Sequence, residues 1–274
     1  MISVFGSTGF IGTKFCEMYR SEVLKISRDS IECKSSDILY LISTTDNYNV
    51  FTNCTLDIET NLIVLMKILE NFKNSKDQGV FNFISSWFVY GDTPLPAKEG
   101  SQCEPRGFYS ITKLCAEQLV ESYCKTYNIN YRIIRLANVY GPSDLGVSKR
   151  KNALQFLINR LKNNEPIDLY DNGEFIRDYI HVSDACQAIK LIMKNGPIND
   201  IINVGSGKPT MFKDIIGTAS KILNSKSKIG SMSPPDFHKL VQVKDMCLDV
   251  EKLSNLGFKQ KISIEDGIKI LCQD

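Results

Sequence analysis

A short apolar strand followed at once by three closely spaced glycines constrains the fold of this chain more than any other feature. Residues 1–5 are typical of a buried strand, and an apolar pattern of helical period runs on to Tyr19. Between them stand Gly6, Gly9 and Gly12, which would allow a tight turn, close approach of a pyrophosphate and close helix packing, respectively. We therefore predict an α/β protein with a Rossmann-like, doubly wound parallel sheet, although an ordinary tight turn is the alternative interpretation. The predicted cofactor-binding residues of this loop are Gly6, Thr8, Gly9, Phe10, Ile11 and Gly12.

The end of the second predicted strand, residues 23–27, indicates which dinucleotide binds. An NAD-selective site usually places an acidic residue here, against the ribose hydroxyls. This chain has Ser27 and Arg28, and a hydroxyl and a guanidinium can bind a 2′-phosphate that a carboxylate would repel. We predict NADP as the cofactor, with NAD as the other option and a solvated arginine in a turn as the alternative.

The predicted sheet is shortened after this turn. Eight residues separate Arg28 from Asp37, where the next strand begins, and these are too few for a helix and a strand. We expect the sheet to lack the strand that a full dinucleotide fold has between its second and fourth. Residues 57–72 then show helical spacing of apolar side chains, and this face fits either the core or a subunit contact.

Tyr109 and Lys113 are the candidates for acid and base chemistry. They lie four residues apart in a predicted helix, so they share a face, and a lysine cation there is expected to lower the pKa of the phenol. With 11 tyrosines in the chain such a pair also arises by chance. Ser85 and Ser86 follow the predicted strand 80–84, where open α/β sheets bind ligands, although a lone pair of serines is more often a turn.

Together these segments resemble the extended short-chain dehydrogenase/reductase family, in particular its nucleotide-sugar epimerase/dehydratase/reductase branch. The resemblance covers nearly the whole chain. It rests on seven motifs in the family's order: Gly6-x-x-Gly9-Phe10-Ile11-Gly12, Asn61, Ser85-Ser86-x-x-Val89-Tyr90-Gly91, Tyr109-x-x-x-Lys113, Arg135-Leu136-x-Asn138-Val139-Tyr140-Gly141-Pro142, Arg177-Asp178-Tyr179-Ile180-His181-Val182-x-Asp184 and Asn203-Val204-Gly205-Ser206-Gly207.

The resemblance implies a catalytic set of Ser86, Tyr109 and Lys113. In such a set Tyr109 passes the proton, Ser86 hydrogen-bonds the same substrate oxygen, and Lys113 binds the nicotinamide ribose. It also implies that Ser86, Trp87, Asn138 and Arg177 bind substrate, with Arg177 at the nucleotide diphosphate. A structural Arg177–Asp178 bridge is the alternative.

The resemblance also implies domain organisation and assembly. Residues 1–142 are expected to bind the dinucleotide, with 178–206 returning to that domain, and 143–274 to form a smaller, mainly substrate-binding C-terminal domain. A homodimer is expected, in which the helix 57–72 and the Tyr109 helix pair with their symmetry mates.

Two departures from the family's pattern bear on the reaction. Sugar 4,6-dehydratases of the family carry an Asp-Glu pair where this chain has Trp87 and Phe88, and neither ring can eliminate water. Residues 231–239 also replace an arginine-rich turn that holds the second phosphate in relatives. His238 or Lys239 could substitute there, although a lone histidine is more often simply exposed.

The predicted function is therefore an NADP-dependent reductase of a nucleotide-activated keto-sugar, with a 4-keto and optionally 6-deoxy sugar favoured. An NAD-dependent C4-epimerase is the alternative, and a non-catalytic NADP-binding regulatory protein is the alternative of another class. The net charge of +2 is mixed along the chain and no apolar run spans a bilayer, so we expect neither nucleic-acid nor membrane partners. Nine singly scattered cysteines indicate no metal site and a cytoplasmic location, and the basic run 149–151 is expected to be solvated.

Overall fold

A computed structural model of the protein describes residues 1–75, 78–144 and 152–274, so the basic run 149–151 lies outside the described residues. The strands are β1 (Ile2–Phe5), β2 (Val23–Lys25), β3 (Asp37–Tyr40), β4 (Val80–Ser86), β5 (Asn130–Leu136), β6 (Asn138–Tyr140), β7 (Ile167–Tyr170), β8 (Ile176–Arg177), β9 (Tyr179–His181), β10 (Asp200–Val204), β11 (Thr210–Met211) and β12 (Ile229–Met232). The helices are α1 (Phe10–Met18), α2 (Leu56–Ile58), α3 (Val64–Lys73), α4 (Phe108–Tyr127), α5 (Ala153–Lys162), α6 (Val182–Asn195), α7 (Phe212–Ile222), α8 (Asp236–Val241), α9 (Glu251–Asn255) and α10 (Ile264–Gln273).

Six parallel strands form the central sheet in the order β2-β1-β3-β4-β5-β10, which confirms the predicted fold class. From β1 the chain moves outward to β2 and then crosses to the other side of β1 with β3. This reversal opens a crevice at the carboxyl ends of β1 and β3, where sheets of this kind bind ligands.

The shortening predicted between the second and fourth strands is present. Residues 26–36 form neither strand nor helix, and β2 is the edge of the sheet. The segment is held instead by side chains: the Lys34 backbone N–H donates to Ser3 Oγ (3.0 Å) and that of Cys33 donates to Asn71 Oδ1 (2.9 Å). These bonds satisfy backbone groups that a sheet ladder would otherwise pair.

Helices cover both faces of the sheet. On one face Val4, Ile84 and Ile134 pack with residues of α1 and α6, and on the other face Phe83 and Ile133 pack with residues of α3 and α4. Because both faces are buried, the strands carry apolar side chains on both faces of the sheet instead of on one face only.

A third apolar cluster lies outside the sheet layers. It contains residues of α5, α7 and α10, such as Ile158, Ile216 and Leu271. The chain leaves the sheet after β5 for β6, and β9 pairs with β6 before leading directly into α6. The junction between the sheet and this cluster therefore runs through residues 137–141 and 177–182. Within residues 1–75, 78–144 and 152–274, no helix has both the length and the apolarity needed to cross a bilayer.

Candidate active site

A cleft of about 1040 Å³ opens at the carboxyl ends of the strands, between the sheet and the third cluster. It brings together nearly all the site residues predicted from the sequence. Those that line it are Gly6, Thr8, Gly9, Phe10, Ile11, Gly12, Ser86, Trp87, Tyr109, Lys113, Asn138 and Arg177.

The glycine loop has the geometry of a phosphate cradle. Gly6 has a φ of +81°, which favours glycine, and a Cβ on Gly12 would collide with the carbonyl oxygen of Gly6. Gly9 is the N-cap residue of α1 and makes no side-chain hydrogen bond. The backbone N–H groups of the first helical turn are therefore not capped by its side chain. The loop and the helix N-terminus thus fit the pyrophosphate of a dinucleotide.

Ser27 and Arg28 lie on an exposed turn after β2 and are not among the residues that line the cleft. The hydroxyl of Ser7 donates to the carbonyl of Ile26 (3.3 Å) and joins this turn to the glycine loop. The two side chains therefore stand beside the loop, at the outer end of the crevice.

Tyr109 and Ser86 meet in the floor of the cleft. Tyr109 lies in the first turn of α4 with 9% of its surface exposed, and a hydrogen bond joins its side chain to Ser86. Burial raises the pKa of Tyr109, and the Ser86 hydrogen bond opposes this only in part. The expectation of a lowered pKa was therefore wrong in direction, because the loss of hydration outweighs any effect of Lys113.

The side chain of Lys113 points toward the carboxyl-terminal half of β4. Its ammonium donates to the carbonyl of Ile84 (2.7 Å) and lies 4.1 Å from the centre of the Phe83 ring. Burial lowers the pKa of Lys113 to about 7, and attraction by Glu117 opposes the shift. Glu117 is itself held by Arg135 at 2.6 Å, so its charge is already largely compensated.

Polar side chains fix the start of α4 relative to the sheet. Asn61, in the π-helical turn Glu59–Ile63, donates to the hydroxyls of Thr44 and Thr112 (both 2.9 Å). Asn47 Oδ1 accepts from the backbone N–H of Tyr109 (3.3 Å). The sequence motif pointed to Asn61, whereas Asn47 carried no signal beyond its place in a polar loop after a strand.

Trp87 and Phe88 form an aromatic wall beside Tyr109. Their rings are stacked 4.0 Å apart, Trp87 is 3% exposed, and the Phe88 ring meets Tyr109 edge-on at 5.8 Å. The guanidinium of Arg177 lies 5.3 Å from the Trp87 ring. The positions directly after Ser86 are thus apolar in space as well as in sequence.

Arg177 is a half-buried cation that forms no ion pair with a carboxylate among the described residues. It donates to the carbonyls of Ile176 (2.8 Å), Val243 (2.9 Å) and Lys244. Burial lowers the pKa of Arg177, yet a guanidinium stays charged at any physiological pH. An unpaired, half-buried charge of this kind favours binding of an anion.

Asp178 does not form the alternative bridge to Arg177. Its carboxylate accepts from the backbone N–H groups of Ser206 (2.8 Å), Gly207 (3.1 Å) and Leu248 (3.3 Å). Its backbone carbonyl accepts from the side-chain amide of Asn138 (3.0 Å). Asp178 therefore organises the loops behind the cleft and leaves Arg177 free to face it.

Sequence reasoning missed several lining residues, because they come from segments that meet only in the folded chain. They are Asp46, Tyr48, Asp144, Asp168, Tyr170 and Gln242. Of the two candidates in residues 231–239, His238 lines the cleft, whereas Lys239 is exposed and pairs with Asp236 at 3.3 Å. Among the described residues no group of three or more potential ligands could hold a metal ion.

Comparison with known proteins places this geometry in a family. Residues 31–205 match the model of the NAD dependent epimerase/dehydratase family. The chain belongs to that family. The predicted resemblance is thereby confirmed, and the chain spans 62% of the length of the first of its curated relatives given below.

Similar proteins include both reductases and epimerases. The chain is 29% identical over 201 residues to the dTDP-4-dehydro-6-deoxyglucose reductase of Escherichia coli, covering 72% of this chain and 62% of that protein. It is 28% identical over 222 residues to a putative UDP-glucose 4-epimerase of Methanocaldococcus jannaschii, covering 81% and 70%. The UDP-glucose 4-epimerase of Thermotoga maritima, solved with UDP-glucose, shares the fold with a TM-score of 0.90 at 22% identity, over 99% of this chain and 97% of that one.

Proposed function

We propose that the protein is an NADP-dependent reductase of a nucleotide-activated keto-sugar, with a 4-keto sugar, optionally 6-deoxy, as the favoured substrate. The observation that carries the proposal is the hydrogen-bonded pair of Ser86 and Tyr109 beside the aromatic wall of Trp87 and Phe88. The Tyr109 hydroxyl can protonate a ketone oxygen. The two residues after Ser86, Trp87 and Phe88, supply neither the acid nor the base that elimination of water would need.

The chemistry follows from the protonation state of Tyr109. When bound, the nicotinamide supplies a hydride to the carbonyl carbon. The raised pKa keeps Tyr109 protonated at neutral pH, so its hydroxyl can donate a proton to the carbonyl oxygen as negative charge develops there. Ser86 hydrogen-bonds the same oxygen and stabilises that charge.

Arg177 is the proposed contact for the diphosphate of the substrate. Its planar guanidinium matches phosphate oxygens in pairs, and it lies 5.3 Å from the Trp87 ring and 4.8 Å from the Phe175 ring. Asn138 lines the cleft between Arg177 and the catalytic pair and is a second proposed substrate contact. We likewise retain residues 1–142 with 178–206 as the dinucleotide-binding domain and 143–274 as the mainly substrate-binding one.

Elimination of water is not part of the proposed reaction. It needs one group to protonate the leaving hydroxyl and another to take a proton from the neighbouring carbon, and Trp87 and Phe88 can do neither. The carboxylates that do line the cleft, Asp46, Asp144 and Asp168, belong to other segments. A sugar dehydratase activity is therefore not expected.

The choice of NADP rests on the turn after β2. Arg28 is exposed and forms no ion pair among the described residues, so its guanidinium can bind a 2′-phosphate, with Ser27 beside it. Arg28→Ala should lower the affinity for NADPH about tenfold or more and leave that for NADH nearly unchanged, as measured by fluorescence titration. Tighter binding of NADH than NADPH by the parent protein would contradict this assignment.

A C4-epimerase is the second candidate, favoured by the similarity to the UDP-glucose 4-epimerases of M. jannaschii and T. maritima. An epimerase would use the same Ser86 and Tyr109 to oxidise and then reduce one carbon. It must keep and regenerate its cofactor, usually NAD, and the Arg28 turn therefore favours the reductase.

The proposed function is tested by identifying the substrate directly. Mass spectrometry of the purified protein would show any nucleotide that copurifies, and NADPH oxidation would then be followed on a panel of nucleotide-linked keto-sugars. Turnover of a nucleotide-linked 4-keto-sugar is the expected result. Interconversion of two epimers without net cofactor oxidation would favour the epimerase, and formation of a 4-keto-6-deoxy product from a nucleotide hexose would refute the reasoning from Trp87 and Phe88.

Two further observations bear on the assembly and the location of the protein: its exposed apolar side chains and its cysteines. The exposed apolar side chains of this region support a homodimer formed by α2, the π-helical turn and α4. They are Ile58 on α2, Ile63 in the π-helical turn, and Phe108 and Ile111 on α4. All nine cysteines are free thiols, as is usual in a reducing compartment, and we propose a cytoplasmic location.

A further inference from the structure

Three side chains that can carry a positive charge line the described part of the cleft: Lys113, Arg177 and His238. Lys113 is turned toward the carbonyl of Ile84 at the catalytic end. Arg177 and His238 lie in the proposed substrate half, where the cleft is also lined by Tyr170 and Gln242. A diphosphate that joins two organic groups carries two negative charges, and Arg177 can compensate only one of them.

The position of His238 is fixed by contacts to both walls of the cleft. Its ring lies 4.8 Å from the ring of Tyr170, at the end of β7. The preceding residue, Phe237, packs edge-on against Tyr48 (4.9 Å) and Phe51 (4.6 Å), which follow β3 on the other wall. The short helix α8 is thus held across the mouth of the cleft with the imidazole on its inner side.

The surroundings of His238 disfavour its protonated form when no anion is bound. Burial lowers the pKa of His238, repulsion by Arg177 lowers it further, and attraction by Asp171 opposes both. The charged and titratable groups on the elements around it are Asp46, Tyr48, Asp168, Tyr170, Asp171, Arg177, Asp236, Lys239 and Asp245. Of these, Asp236 is paired with Lys239, and Asp245 accepts from the backbone N–H of Ile176 (2.7 Å).

We propose that His238 is the second ligand of the substrate diphosphate and takes up a proton when a nucleotide sugar binds beside Arg177. This role rests on the proposed function, since it assumes that a nucleotide sugar enters this half of the cleft. In this role His238 binds and positions the substrate diphosphate and takes no part in proton transfer to the carbonyl.

Binding of the diphosphate and protonation of His238 are coupled, and the direction of the coupling follows from their charges. A bound diphosphate attracts the imidazolium and raises the pKa of His238 above its lowered value in the free protein. Between those two pKa values, binding takes up a proton, so the affinity rises as the pH falls. Both phosphates of a nucleotide sugar are diesters and keep their charge through this range, so the ligand itself contributes no proton.

The experiment is calorimetric titration of the NADP-saturated protein with UDP-glucose and with dTDP-glucose between pH 6 and 8. Repeating it in buffers of different ionisation enthalpy gives the protons taken up. For the parent protein we expect uptake of up to one proton and a fall in affinity of up to about tenfold per pH unit. His238→Gln should bind more weakly with no uptake, whereas Lys239→Gln should behave as the parent does.

A second measurement keeps the test independent of how the variant folds. The chain has only two histidines, His181 and His238, so the imidazole C–H resonances of the parent protein can be followed by NMR. One of them should titrate at a higher pH once UDP-glucose is bound, and His238→Gln identifies it.

The outcomes separate this role from the proposed function. Binding of either probe with no proton uptake, and with the same affinity in His238→Gln, would overturn the role of His238 and leave the proposed function in place. Failure of both probes to bind at any pH would instead overturn the proposed substrate class, and this role with it.

Discussion

At the scale of single residues, the cations in and near the cleft fall into two groups: one is paired with a carboxylate and the others are not. Arg135 is buried together with a carboxylate, Glu117 at 2.6 Å, and the pair holds α4 against β5. Arg177 is half-buried beside aromatic rings and carbonyls, and burial lowers the pKa of Lys113 to about 7, so about half of this lysine is charged at neutral pH. The compensated cation has a structural role, and the two uncompensated ones are available for cofactor and substrate.

Replacement of Tyr109 by phenylalanine tests the proton donor. Tyr109→Phe removes only the hydroxyl that joins Ser86, so kcat should fall by about 10²- to 10⁴-fold while NADPH binding and thermal unfolding stay close to the parent. Steady-state kinetics and calorimetry would check both halves. Retention of more than about a tenth of the activity would exclude Tyr109 as the proton donor.

Lys113 predicts a specific pH dependence of stability. Its pKa is about 7 in the folded protein and near its ordinary value of about 10.4 when unfolded. The unfolded chain therefore binds more protons between these values, and the contribution of Lys113 to the free energy of unfolding rises with pH across that window.

The comparison with Lys113→Met isolates this contribution. Urea unfolding at several pH values from 7 to 9.5 should show the parent gaining stability relative to the variant by up to about 1.4 kcal/mol per pH unit. Parallel profiles of the two proteins would mean that the pKa of Lys113 is not lowered by folding.

At the scale of elements, the glycine loop and α1 form one unit whose packing depends on the absence of a side chain. Gly12→Ala would bring a methyl group against the carbonyl oxygen of Gly6 and push α1 away from the loop. We expect a loss of about 1–3 kcal/mol of stability and a fall in NADPH affinity of tenfold or more.

Gly217 in α7 provides the matched control. A Cβ there would meet nothing within 4 Å, so Gly217→Ala should stabilise the protein by about 0.5–1 kcal/mol through helix propensity. Its affinity for NADPH should not change. Equal effects of the two substitutions would show that Gly12 has no special role in the cradle.

Local patterns predicted most elements, and long-range contacts explain the differences. The strand predicted at residues 80–84 is β4 (Val80–Ser86), and the helix predicted to hold Tyr109 and Lys113 is α4 (Phe108–Tyr127). The helix predicted over 57–72 is interrupted by the π-helical turn that presents Asn61, which apolar spacing does not reveal. Likewise β12 forms only by pairing with β7, about 60 residues earlier in the chain, so residues 231–239 alone could not decide whether His238 or Lys239 would reach the cleft.

At the scale of the whole molecule, the exposed apolar side chains on α2, the π-helical turn Glu59–Ile63 and α4 are expected to be covered by a second copy of the chain. Sedimentation at micromolar concentration should show a dimer. Ile111→Asp should shift it toward monomer, because Ile111 is 49% exposed on α4. Ile198→Asp, at 47% exposure on the turn before β10, should not; a monomeric parent would contradict the proposed assembly.

In the described part of the cleft the proton donor Tyr109 faces an aromatic wall, and the proposed reaction there is hydride transfer to a ketone. It is tested most directly by the ratio of NADPH oxidised to sugar reduced, measured on a nucleotide-linked 4-keto-sugar by absorbance at the nicotinamide band and by NMR of the product. We expect a ratio of one, and product formation about 10²- to 10⁴-fold slower in Tyr109→Phe. Conversion of a nucleotide sugar into its C4 epimer without NADPH consumption would contradict the proposed reaction.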